Sequence, residues 1–245
     1  MVLSLKVQTV FSDSKLHTPF VVSHFLSNFA VASPNPTNLK AYNDWDKAET
    51  DIFWAEIAPC EHVVQIYEND GVFLDALAGF VIGGINSDEC VVVIATQSHL
   101  DALDKRLRSF GTYLDQLVND DRYIPLNAEN TLAKFMVNGW PDEKLFIKTV
   151  SEIMERGGCS GRKVRAFGEM VAILWAEGNH GATVNLEHLW NKVCAKNSLS
   201  LFCAYPKSGF TQDINESITN ICSCHSKMIE GSKRSLTQVL YRNTA

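Results

Sequence analysis

Two short constellations in this sequence carry side chains that could do chemistry. The first is Arg165-Ala-Phe-Gly-Glu-Met170, running into Val171-Ala-Ile-Leu-Trp175. It reads as a short buried strand, Lys163 to Phe167, that stops at a glycine and turns straight into a helix. In an open α/β sheet, ligands bind in the crevice outside the carboxyl ends of the strands. Glu169 would sit at that edge, with Arg165 holding it in place. A glutamate in a first helical turn also stabilises its own helix through the dipole, which is the plainer role for the same residue. The second constellation is Cys222-Ser-Cys224-His225. On a helix Cys222 and His225 share a face, and with Cys203 from a neighbouring strand they could make a soft N/S metal site. Two buried cysteines beside a hydrogen-bonded histidine explain the same residues more simply, so no metal and no cofactor are expected.

Other strand ends offer companions to Glu169. Tyr67-Glu-Asn-Asp-Gly71 follows the first strand and opens a helix, the place where a phosphate-binding loop would sit. Such a loop needs glycines whose N–H groups cradle phosphates, a Lys for the β/γ-phosphates and a Ser/Thr for magnesium. Here the Lys, the Ser/Thr and all but one glycine are missing, and Glu68 and Asp70 would repel a triphosphate at a helix N-terminus. There is also no Gly-x-Ser-x-Gly elbow, no HExxH and no Gly-x-Gly-x-x-Gly. A non-enzymatic protein is expected, with a degenerate nucleotide-binding protein or residual ATPase as the rival. The candidate ligand-binding set is Tyr67, Glu68, Thr96, His99, Arg165, Glu169 and Tyr205, an acidic-aromatic mixture suited to a small, weakly polar or cationic ligand. Trp175, Trp190 and Tyr205 are also plain core aromatics. His62, at the start of a strand and away from the crevice, reads as structural.

The elements that must position these residues repeat along the chain. Val63 to Tyr67 is a strand, and Asp70 reads as the cap of a helix that Gly83-Gly84 ends. Cys90 to Ala95 is a continuous β-branched run, as in a central parallel strand covered on both faces. Ser98 opens a helix to Phe110, with Gly111 as its stop. Tyr123 to Leu126 is an edge strand, because Pro125 cannot donate to a ladder. Helices follow over 128–137 and 143–156, the second with Leu145, Phe146, Val150 and Ile153 inward. After the strand–turn–helix at 163–175, Asn185 caps a helix through Lys196. Ser200 to Tyr205 is a buried strand, and 213–225 is helical. Repeated strand–helix units imply an α/β three-layer sandwich, a mainly parallel sheet with helices on both faces. Residues 1–58 read as a partly ordered N-terminal extension, in which 44–56 could form a helix. The domain runs over 59–228 and a tail over 229–245.

The chain has 245 residues, 46% of them hydrophobic and 20% charged, enough to bury a substantial core. Its net charge is -6, which speaks against a nucleic-acid surface. The odd count of seven cysteines, several inside apolar runs, fits free thiols in a reducing compartment. No apolar run approaches the length needed to span a bilayer. Pro19 to Ala32 is weakly signal-like, but His24 and Asn28 interrupt it, so a cytoplasmic protein is expected.

Six segments in order resemble the MEDS family, the methanogen/methylotroph sensory domain. They are His62-Val-Val-Gln-Ile-Tyr67, Ile94-Ala-Thr-Gln-Ser-His99, Arg165-Ala-Phe-Gly-Glu-Met170, Leu186-Glu-His-Leu-Trp-Asn191, Phe202-Cys-Ala-Tyr-Pro206 and Ile221-Cys222 with His225. The resemblance covers about 61–228. It implies a RecA-like core without a working phosphate loop and a sensor of small hydrocarbon derivatives in prokaryotic signal transduction. Family members commonly join this module to a DNA-binding or histidine-kinase output domain. Only about twenty residues follow Ser226, among them Lys227, Lys233, Arg234 and Arg242. The expected partners are therefore a small-molecule ligand and a separate signalling protein, a histidine kinase or transcription regulator. No direct nucleic-acid contact and no membrane are expected, and a homodimer is kept as an assembly state.

Overall fold

In the computed structural model the described residues are 61–158, 161–209 and 221–231, with Trp54, Ile57, Cys60, Thr219 and the strands Trp45–Glu49 and Gln238–Arg242. The first strand, β1, is Trp45–Glu49, where the sequence suggested a helix. Then come β2 (His62–Tyr67), α1 (Asp70–Asn86), β3 (Cys90–Ala95), α2 (Gln97–Ser109), α3 (Leu114–Asn119), β4 (Tyr123–Asn127) and α4 (Ala128–Leu132). A two-strand hairpin, β5 (Met136–Val137) and β6 (Trp140–Pro141), leads into α5 (Glu143–Gly158). The chain continues through β7 (Val164–Gly168), α6 (Met170–Ala176), α7 (His180–Asn197), β8 (Ser200–Pro206), β9 (Lys227–Gly231) and β10 (Gln238–Arg242).

Eight strands form one sheet in the order β1-β10-β9-β2-β8-β7-β3-β4. The six from β9 to β4 are parallel, and β10 and β1 add antiparallel pairs beyond β9. Parts of both the N-terminal extension and the C-terminal tail therefore lie in the sheet. Alternation along each strand splits the core in two. Val64, Ile66, Val92, Ile94, Leu201 and Cys203 pack under α4–α7, where Trp175 and Trp190 are buried. Val63, Tyr67, Val91, Val93, Phe167 and Phe202 pack under α1–α3. Both faces are covered, which is why β3 reads as an unbroken apolar run and its neighbours as mostly apolar ones.

Several expected boundaries move, each for a local reason. Asn69, not Asp70, caps α1, its side chain accepting from the Gly71 N–H at 2.7 Å. The Gly83-Gly84 pair does not stop that helix, because Gly84 serves close packing instead. A Cβ on Gly84 would lie 2.5 Å from Val91 Cγ2 and 2.8 Å from Arg165 Cδ. Gly84→Ala is expected to cost about 1–3 kcal/mol in denaturant unfolding, as overpacking does, although alanine is the better helix former. An unchanged or raised stability would remove this role. The helix α2 is capped by Thr96 without a side-chain bond, not by Ser98. The helix expected over 128–137 is only α4, because the hairpin takes the rest. Asn179 caps α7, six residues before the expected cap Asn185, accepting from Ala182 N. Asp142 caps α5 as expected, accepting from Leu145 N at 2.9 Å, but the Leu145 side chain is 40% exposed rather than inward. Tyr123 to Asn127 is indeed the outermost strand, with Pro125 on it. Of the helix expected over 213–225, only Thr219 and Ile221–Ser223 lie among the described helical residues; 213–218 lie outside the described residues.

Candidate functional site

The carboxyl ends of β3 and β7 are joined by one side chain. Glu169 follows β7 directly, and its N–H donates to the Ile94 carbonyl at 2.9 Å, which sets it beside the end of β3. Its carboxylate then accepts three bonds. The Thr96 N–H donates to Oε2 at 2.8 Å and the Thr96 hydroxyl to the same oxygen at 3.2 Å. His99 Nδ1 lies 2.7 Å from Oε1. Glu169 occupies the cap position of α6 yet makes no side-chain bond to that helix. It serves α2 instead, by holding Thr96 at its start and His99 in its first turn. The carboxylate holds the His99 imidazole above its ordinary pKa, against the opposing effect of partial burial. Phe73 lies edge-on to His99 at 5.0 Å and stacks on Tyr67 at 4.7 Å. Burial, with Glu169 and Asp70 nearby, keeps the Tyr67 phenol protonated well beyond its usual range. Glu68 sits at the rim and pairs with Lys207, linking the ends of β2 and β8. The structure thus brings Tyr67, Thr96, His99 and Glu169 together through Phe73, while the Glu68 carboxylate turns away to Lys207. Glu169 itself is 6% exposed, so it is a latch between two elements more than an open hook.

Arg165 and Tyr205 are not part of this group. Arg165 is the second residue of β7, and four strand residues span about 13 Å, so it lies at the opposite end of the strand from Glu169. Its guanidinium pairs with Glu89 and donates to the Trp54 carbonyl at 2.7 Å and the Phe80 carbonyl at 3.2 Å. Tyr205 points from the other face of the sheet, and its hydroxyl donates to Glu187 Oε1.

That second face holds a buried polar cluster of His62, Glu187, Cys203 and His225. His62 comes from β2, Cys203 from β8, Glu187 from α7, and His225 from the turn before β9. Glu187 Oε2 lies 3.4 Å from His62 Nε2, 3.6 Å from His225 Nε2 and 3.8 Å from Cys203 Sγ. Burial drives the Glu187 carboxyl up to about 8 and the His62 imidazole down to about 4, and it holds His225 well below the ordinary histidine value. With protein groups alone, burial favours the neutral forms of both His62 and Glu187 over an ion pair. Cys203 and His225 belong to this cluster as the sequence suggested, but Cys222 does not. His62 and Glu187 take its place. A sequence signal for Glu187 existed: it falls on the same helical face as Thr183, Leu186, Trp190 and Cys194, all buried. His62 shares its strand face with Val64 and Ile66.

Fold and strand-end chemistry together define a RecA-like α/β sandwich whose first strand–helix turn carries the acids Glu68 and Asp70. The chain belongs to the MEDS family, the methanogen/methylotroph, DcmR sensory domain, whose family model matches residues 61–226. In fold it is similar to KaiC-like protein PH0186 from the hyperthermophilic archaeon Pyrococcus horikoshii OT3, with a TM-score of 0.52 at 12% identity, over 76% of this chain and 80% of that one. It is similar also to the PH0250 protein of Pyrococcus horikoshii OT3, with a TM-score of 0.50 at 11% identity, over 75% of this chain and 88% of that one. No curated protein matches the chain in sequence. Among the described residues no helix is long and apolar enough to cross a membrane.

Proposed function

We propose that this chain binds a small, weakly polar molecule, a simple hydrocarbon derivative, at the strand ends around Tyr67, Thr96, His99 and Glu169, without catalysing a reaction. It passes the event to a separate signalling protein. Membership of a sensory family supports the role, and one observation carries the site: the carboxylate of Glu169 binds the start of α2 across the sheet edge. A ligand that takes the hydrogen bonds of His99 or Thr96 competes with that latch. It thereby favours an arrangement in which α2 is released from β7, a population shift between two packings. Gln65 adds a second argument. It is fully buried two residues before Tyr67, and neither of its amide atoms has a hydrogen-bond partner. A buried amide in that condition is a group that a bound molecule can satisfy.

The experiment is native mass spectrometry of the freshly purified full chain, followed by thermal melts with short alcohols, halomethanes, small amines and ATP. At least one small organic compound is expected to raise Tm, and the shift should vanish in His99→Gln. No shift with any compound and no retained molecule would count against the sensory reading. ATP turnover that disappears in Glu169→Gln would replace it with the residual ATPase.

A further inference from the structure

The buried cluster opposite the latch has the geometry of a metal site. A tetrahedral ion with bonds of about 2.0–2.3 Å to N, O and S donors sets its ligands about 3.3–3.8 Å from one another. His62 Nε2 lies 3.3 Å from Cys203 Sγ. The three contacts of Glu187 Oε2, at 3.4, 3.6 and 3.8 Å, fall in the same interval. All four donor atoms lie within 4.8 Å of one another.

The surroundings orient His62, His225 and Glu187 as a metal would require. Asn191 Nδ2 donates to the Cys224 carbonyl at 2.9 Å, which fixes the amide so that Oδ1 faces His62 Nδ1 at 2.9 Å. His62 therefore carries its proton on Nδ1 and presents the Nε2 lone pair to the cluster. His225 repeats the arrangement, donating from Nδ1 to the Ile221 carbonyl at 2.6 Å. Its Nε2 is buried and has no hydrogen-bond partner. Tyr205 holds the outer oxygen of Glu187 and leaves the other free to coordinate. Histidine ligands with Nδ1–H tied to an acceptor, and a carboxylate tied by a donor, are the usual outer shell of protein metal centres.

We propose that His62, Glu187, Cys203 and His225 form a closed tetrahedral site for one divalent transition metal, with Zn2+ the occupant that the donor set favours. Two imidazoles and a thiolate select against Mg2+ and Ca2+. The thiolate and the carboxylate together neutralise the ion, so the buried site has no net charge. Four protein ligands leave no open position, which suits a fastening role more than hydrolysis. The ion would fasten the turn at His225, and through it the start of β9, to β2, β8 and α7. This assignment stands independently of the ligand reading at Glu169.

The test is Co2+ titration of the chelator-treated full chain, followed by absorption spectroscopy and then displacement with Zn2+. One Co2+ per chain is expected, with the intense ligand-field bands of tetrahedral cobalt and a thiolate charge-transfer band. Cys203→Ser should lose the charge-transfer band, Cys222→Ala should keep it, and Asn191→Ala should weaken affinity about 10–100-fold. Where a ligand variant fails to fold, the wild-type spectrum decides. A folded chain that takes up no Co2+ overturns the proposal. So does one that binds it without tetrahedral bands, or that keeps the thiolate band in Cys203→Ser.

Discussion

Arg165→Ala is expected to lower the unfolding free energy by about 3–5 kcal/mol, the cost of breaking a buried charge pair by removing one member. The guanidinium is 1% exposed and sits 5.2 Å above the ring of Phe80. It serves three segments at once: Glu89 before β3, the Phe80 carbonyl in α1, and the Trp54 carbonyl. Alanine would leave the half-buried carboxylate and two carbonyls without their donor, and a cavity between Gly84 and Phe80. Lysine should not rescue the loss, because a point charge cannot reach three acceptors in the fork geometry of a guanidinium. Urea unfolding checks this, with an unchanged m-value showing that the native state and not the unfolded chain was altered. A loss below about 1 kcal/mol would mean that the pair behaves like an exposed one. The same variant should leave binding at the Glu169 edge intact, since Arg165 sits at the other end of β7.

Glu169→Gln should cost about 1.5–3 kcal/mol, the worth of a hydrogen bond to a charged partner, and the cost should depend on pH. The glutamate raises the His99 pKa above the ordinary value for histidine. A group whose folded pKa is raised contributes stability that is fully present below its unfolded pKa. That stability is lost as pH rises through the folded value. The gap in melting temperature between wild type and Glu169→Gln is therefore largest at about pH 5 and narrows toward about pH 9. Histidine NMR should show His99 titrating at lower pH in the variant. A gap that stays constant over that range would remove the His99–Glu169 bond from the account. Glutamine can still accept from Thr96, so the start of α2 should remain in place and the readout stays specific to His99.

The alternation and continuity of apolar residues made most of the sheet readable. The central strands β2, β3, β7 and β8 are buried on both faces, so they appear in the sequence as short, mostly apolar runs, continuous in Cys90–Ala95 and broken only by Gln65 in β2 and Arg165 in β7, and the first three are each followed by a polar residue that opens a helix. From these alone a three-layer α/β sandwich follows, and with it the edge at which Tyr67, Thr96 and Glu169 meet. The small elements were not readable. The β5–β6 hairpin is two residues per strand and α3 is six residues, too short to express a period. The strands β1 and β10 are held by pairing with each other and with β9, a long-range contact that leaves little local trace.

The site divides in the same way. Local sequence determined that an acid ends β7 and that no phosphate loop follows β2, because both are properties of a few consecutive residues. Only the tertiary structure decided what each acid touches. Arg165 and Glu169, four apart, look like partners on helical spacing but are about 13 Å apart along a strand, so each found other partners. His62, Glu187, Cys203 and His225 are scattered over more than half the chain. They converge because β2 and β8 pair in parallel and α7 packs beneath them, a fact of packing that no short-range spacing encodes.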